Sequence, residues 1–154
     1  MLPNSSRHPP QLKRDSLGCS TMVIENVSGS VELEISVPDG PGQGRRARVG
    51  VAWGDFRATR AGVWFEHGEF EAFLEDLRTL DRTRRGRAVL AADDPREFHL
   101  AFAAMDKPGH LQITGRLATN PARDGAAALE FEFPLDPSAL PGVLRDFERT
   151  DAAA

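Results

Sequence analysis

Residues 31 to 37, Val-Glu-Leu-Glu-Ile-Ser-Val, alternate apolar and polar side chains without a fault. Side chains on an extended backbone point to opposite faces in turn, so this pattern suits a strand with one face in a core and the other in water. The same period of two recurs along the chain. Met22-Val-Ile-Glu-Asn makes a natural first strand, and Arg48 to Trp53 puts Val49, Val51 and Trp53 on one side. Roughly Phe56 to Phe65 follows the Gly54-Asp55 turn, and the alternation returns at Ala88 to Ala92, Phe98 to Phe102, Leu111 to Leu117 and Leu129 to Phe133. The breaks between them are short and rich in turn residues: Pro38 to Gly44, Asp93-Asp94-Pro95, Lys107-Pro108-Gly109 and Asn120 to Gly125. Connections this short leave no room for crossover helices between parallel strands, so an antiparallel meander is expected.

The pattern is interrupted once. In Gly68-Glu-Phe-Glu-Ala-Phe-Leu-Glu-Asp-Leu-Arg-Thr-Leu80 the apolar residues Phe70, Phe73, Leu74, Leu77 and Leu80 fall at i, i+3, i+4, i+7 and i+10. That is one stripe of a helix, spanning about 68–81. Its four carboxylates, Glu69, Glu71, Glu75 and Asp76, fall mostly on the other arc. Paired catalytic carboxylates need burial or a forced like-charge approach to split their pKa values, and a solvated helix face supplies neither. They read as the wet side of the helix, with the early acids favouring its N-terminus. A second, short helix is expected at about 139–149: Asp136 can cap it, Pro137 suits its first turn, and Leu140, Val143, Leu144 and Phe147 form its stripe. Pro141 should split this segment into a turn and a helix. The fold class is therefore α+β: a single antiparallel meander sheet of six to eight strands, with both helices packed on one face.

Length places the fold in one domain, residues 21–150, preceded by a disordered polar tail at 1–20. Met22 is an alternative to Met1 as the start. Ser16-Leu-Gly-Cys19 is only superficially like a lipoprotein cleavage site, because no apolar stretch precedes it, and no run long enough to span a bilayer exists. A cytoplasmic location is the expectation. The first 18 residues carry a net +2, which leaves −6 on the remainder for a total of −4. A body of that sign disfavours nucleic acid and suits a basic partner. One cysteine, Cys19, excludes an intramolecular disulfide and a thiolate metal cluster.

Motifs for chemistry are sparse. GxSxG is absent, and Ser28-Gly-Ser30 lacks the strand–turn–helix context of a nucleophile. Gly40-Pro-Gly-Gln-Gly44 lacks the lysine and following helix of a phosphate loop. His67 adjoins the first helix and can take part in its cap. His99 and His110 point away from the core; if their strands pair through the turn at 107–109, the imidazoles could approach one another and, with Glu130 or Glu132, hold a metal. That gives a small metal-dependent or hydrolytic enzyme as an alternative reading, without HxH, HxxxH or HExxH spacing behind it. A homo-oligomeric binding domain is another. No cofactor is expected. Trp53 and Trp64 should pack on the sheet, and an exposed tryptophan would be a natural partner anchor.

Helices on one face leave the other open. That face should carry Glu32, Glu34, His99, Gln112, Thr114, Arg116, Glu130 and Glu132, a flat polar surface suited to docking a protein.

The order of elements resembles a known group. Alternating strands lead into Glu69-Phe70-Glu-Ala-Phe73-Leu74-Glu-Asp-Leu77; then come Gly109-His110-Leu-Gln-Ile-Thr-Gly115, the Phe-rich Leu129-Glu-Phe-Glu-Phe133 and a closing helix after Leu135-Asp136. Across roughly residues 22 to 149 this resembles the WapI-type immunity proteins of bacterial polymorphic toxin systems. The resemblance implies a non-enzymatic protein that binds and neutralises a cognate toxin domain; a monomer or weak homodimer is expected. It brings no catalytic residue with it.

Overall fold

The computed structural model describes residues 18–105, 109–119 and 127–152, so most of the expected tail and all of the loop at 120–125 lie outside the described residues, as do Lys107 and Pro108 of the turn. Its elements are β1 (Cys19–Glu25), β2 (Gly29–Ser36), β3 (Arg45–Trp53), β4 (Phe56–Phe65), α1 (His67–Thr83), β5 (Arg87–Ala91), β6 (Phe98–Ala104), β7 (Leu111–Ala118) and β8 (Ala128–Leu135). A 3-10 turn (Pro137–Ala139) and α2 (Leu140–Ala152) complete it. β1 begins at Cys19, inside the span assigned to the tail.

Every strand pairs antiparallel with its sequence neighbours, as expected of a meander, but in two four-stranded sheets rather than one: β1-β2-β3-β4 and β5-β6-β7-β8. Width explains the correction. Eight strands at about 4.8 Å spacing would make a sheet roughly 38 Å across, whereas two helices about 10 Å apart cover only around half of it. Two sheets turned toward a shared interior bury both apolar faces. The first contributes Val31, Leu33, Ile35, Val49, Val51 and Phe65; the second contributes Leu90, Leu100, Phe102, Ile113, Phe131 and Phe133; all belong to one core cluster with the helical stripes. Trp53 at the end of β3 stacks on Phe133 of β8 at 6.0 Å, and Phe65 meets Phe98 edge-on at 5.9 Å, so the sheets touch directly. Arg60 adds an ion pair to Glu97 at 2.6 Å, in the turn before β6. Gly115 sits where β7 runs under the Phe131 ring: a Cβ there would lie 2.2 Å from that ring.

The chain is thus four strands and a helix, repeated. The helices are not laid on one face of a single sheet. α1 follows the first sheet yet packs against β5 of the second, while α2 follows the second sheet and packs against β1 of the first; the helices also touch each other. α1 buries the expected stripe, Phe70, Phe73, Leu74, Leu77 and Leu80. Its N-cap is Glu66 rather than His67, with no side-chain capping bond; the Glu66 carboxylate instead accepts from Trp64 Nε1 at 3.0 Å. It ends at Arg84, whose left-handed backbone (φ 56°) returns its N–H to the Leu80 carbonyl. Asp136 accepts from Ser138 N and Oγ at 2.9 and 2.8 Å, and those bonds hold its carboxyl below the usual range. The 3-10 turn and helix that follow match the break expected from Pro141.

Where α1, α2 and β6 meet, four phenylalanines form a node. Phe147 lies 4.9 Å from Phe73, 6.3 Å from Phe70 and 6.4 Å from Phe102, each edge-on. Such pairs add about 0.5–1.5 kcal/mol each beyond the burial of their area.

Beside the node is a buried charge. Arg45 is 1% exposed; its Nη2 donates to Asp151 Oδ1 at 2.8 Å, and its Cζ stands 4.1 Å above the Phe70 ring. Nε and Nη1 make no hydrogen bond among the described residues, where the carboxylate and the ring's electron-rich face are what compensate the guanidinium. Glu71 joins this group. Hydrogen bonding to Asp151 raises its pKa, burial and the Asp151 charge raise it further, and His67 and Arg45 oppose the shift. One of the four helix carboxylates is therefore not simply a wet-face group: the C-terminal turn of α2 brings a like charge to it.

Two outcomes follow from this packing. Phe147→Ala should destabilise the fold by about 3–5 kcal/mol, as for other buried phenylalanines, read from the midpoint of urea unfolding; a loss below about 1 kcal/mol would mean the node is not structural. Glu71 has a folded pKa above its unfolded one, so its contribution is full at low pH and is lost as pH rises through the raised value. Glu71→Gln keeps a donor to Asp151 without the charge. Its melting temperature should exceed the wild type's at pH 7, with the difference closing near pH 4; a lower value at pH 7 would show the carboxylate is stabilising.

Candidate interaction surfaces

The eight residues expected on one open face lie on two. Six share the outer face of the second sheet: His99 on β6, Gln112, Thr114 and Arg116 on β7, and Glu130 and Glu132 on β8. Register brings them together, with His99 opposite Arg116, Arg116 opposite Glu130, and Thr114 opposite Glu132. Most are already engaged. Arg116 donates from Nη1 to Glu130 at 2.9 Å and from Nε to the Arg96 carbonyl at 3.1 Å. Gln112 Nε2 donates to Glu132, and His99 Nδ1 lies 3.2 Å from the Pro95 carbonyl. At the edge of this patch Arg96 bonds Asp94 through its side chain and its N–H, which holds the Asp94 carboxyl below the usual range.

The approach of His99 and His110 that the alternative metal site requires does not occur. Met105 N–H donates to the His110 carbonyl at the turn end of the hairpin, while His99 pairs with Arg116 at the opposite end. Six residues of strand separate the two positions, about 20 Å. Among the described residues no group of three or more His, Cys, Asp and Glu could hold a metal ion.

Glu32 and Glu34 stand on the outer face of the first sheet, in different company. Glu34 is opposite Arg48 and Glu32 opposite Gly50; Gly50 is opposite Thr59, and Ala52 opposite Arg57. The side chains of Glu32, Glu34, Arg48 and Arg57 are exposed, and none has an ion-pair or hydrogen-bond partner among the described residues. Trp64, 36% exposed, lies on this face beside Arg46, its edge packed over Gly44. It is the exposed tryptophan of the two, since Trp53 is held against Phe133.

Arg48 was legible as the outward neighbour of Val49. Arg57 and Thr59 were not, because β3 and β4 slip register between Ala47 and Val49, which hides which β4 residues face outward. Among the described residues no helix is long and apolar enough to cross a membrane.

Comparison with known proteins bears on what such a pair of faces is for. Among solved structures, a chain from the crystal structures of Trypanosoma bruciei MRP1/MRP2 is similar at 13% identity and a TM-score of 0.50, over 97% of this chain and 94% of that one. At that identity the likeness is one of fold. No curated protein matches. The profile of the immunity protein WapI-like family matches residues 23–152, from within β1 to the end of α2. With both helices and all but the start of β1 inside that match, the chain belongs to the WapI-like immunity protein family.

Proposed function

We propose that this protein binds and neutralises a cognate bacterial toxin domain, acting in the cytoplasm by covering the toxin without catalysing a reaction of its own. The observation that carries this reading is the family match over residues 23–152. The geometry supports it in two ways. The eight candidate docking residues spread over two open sheet faces instead of converging in an enclosed cleft. Those faces are built on paired strands, so a docking surface is rigid before the partner arrives and little ordering entropy opposes binding.

The docking residues belong to one of the two faces: Glu32 and Glu34 on the first sheet, or His99, Gln112, Thr114, Arg116, Glu130 and Glu132 on the second. Neutralisation is steric and electrostatic. A body carrying −6 outside its basic N-terminal segment attracts a basic toxin domain and speeds its capture.

The test starts from the gene's neighbourhood. The C-terminal domain of a large secreted toxin encoded directly upstream, mixed with this protein, should give a one-to-one complex by light scattering and lose its toxicity in co-expression. The free protein should stay monomeric or weakly dimeric as concentration rises. Association should slow by about tenfold or more between low and high salt, as for electrostatically steered pairs. Failure to bind that domain, with toxicity undiminished, would sink the proposal.

A further inference from the structure

We infer that the toxin domain docks on the outer face of the first sheet rather than the second, with a basic side chain of the toxin entering a trough over Gly50 and an acidic group meeting Arg48 and Arg57. This rests on the immunity reading and deepens it.

The two outer faces differ in what they leave unpaired. On the second sheet Glu130, Glu132, Arg116 and Gln112 satisfy one another, so a partner would have to break those bonds before forming its own. On the first sheet, charges of both signs stand without partners among the described residues: Glu32 and Glu34 in a row on β2, Arg48 and Arg57 on the next strands. A partner can engage these at no cost in existing contacts. Their arrangement also specifies its chemistry. Anionic polymers meet the glutamates, and a uniformly basic surface meets the arginines. A protein surface with a basic residue beside an acidic one, in the reverse order, suits both rows.

Shape points the same way. Gly50 has no side chain, and the nearest atom to a Cβ built there is the Glu32 Cβ at 3.9 Å. The gap forms the floor of a trough of about 210 Å³ lined by Glu32, Glu34, Arg48 and Thr59. A second hollow of about 150 Å³ continues it toward Ser30 and Ala52. A third, of about 270 Å³ and lined in part by Ser36 and Arg46, opens beside Trp64. Three hollows in line along β2 and β3, with a partly exposed tryptophan at one end, form a track for an opposing surface whose central side chain sits over Gly50.

Affinity for the upstream toxin domain, measured by titration calorimetry, tests this. Gly50→Leu fills the trough at a position with room for a side chain, and Glu32→Gln with Glu34→Gln removes the acidic row from exposed sites. Each is expected to raise Kd at least fivefold. Glu130→Gln with Glu132→Gln, the control on the second sheet, is expected to change Kd less than fivefold. The far-ultraviolet circular dichroism of all three should match the wild type. If the first two variants stay within fivefold while the wild type binds, or if the control exceeds fivefold, the assignment to the first sheet is wrong and the immunity reading survives. If the wild type itself does not bind, the immunity reading fails and takes this inference with it.

Discussion

Two helices must shield the apolar sides of eight strands, and the architecture is the solution to that shortage. A flat meander would leave half its inner face wet. Dividing the strands into two sheets lets each sheet cover part of the other, with Trp53 against Phe133 and Phe65 against Phe98 as the direct contacts. The helices then fill the remaining opening. Phe147, reaching Phe70, Phe73 and Phe102 together, is where α1, α2 and the second sheet are held to one another. Because both inner faces are used up in this closure, both outer faces are left to solvent or to a partner.

The core includes one guanidinium. Arg45 occupies an inward position at the start of β3, between the ring of Phe70 and the carboxylate of Asp151, near the chain's last helical turn. A buried ion pair offers little net stability over apolar packing, but an unpaired buried charge is costly. Arrangements in which α2 lies elsewhere would strand Arg45. The pair therefore acts more on which structure forms than on how stable it is, and Glu71, crowded against Asp151, shows the electrostatic strain that comes with it.

Much of this was legible in the residues because periodicity is local. The alternation from Val31 to Val37 placed β2 and its two faces correctly, and the stripe from Phe70 to Leu80 located α1 and all its buried side chains. Which strands share a sheet is not local. It depends on how far two helices reach, and no spacing within a strand encodes that. So the outward residues were found, but Glu32 and Glu34 were grouped with six residues of the other sheet. The metal alternative failed for a related reason: His99 and His110 flank one hairpin, yet its register sets them at opposite ends. Arg45 was overlooked because a charged residue at an inward position contradicts the pattern used to find strands. The approach of Glu71 to Asp151 joins residues 80 positions apart, beyond any pattern in a single element.

The crossing of the helices has a consequence for the divisibility of the molecule. Neither half is self-sufficient: cut at Arg85-Gly86, the leading fragment would hold a helix whose docking strand belongs to the trailing one, and the reverse. Two copies of a single half could close the same core as a symmetric pair, each lending its helix to its twin. One polypeptide here does the work that an exchanged dimer would do. Holding both halves in one chain lets their outer surfaces differ, one with self-saturated bonds and the other with unspent charge.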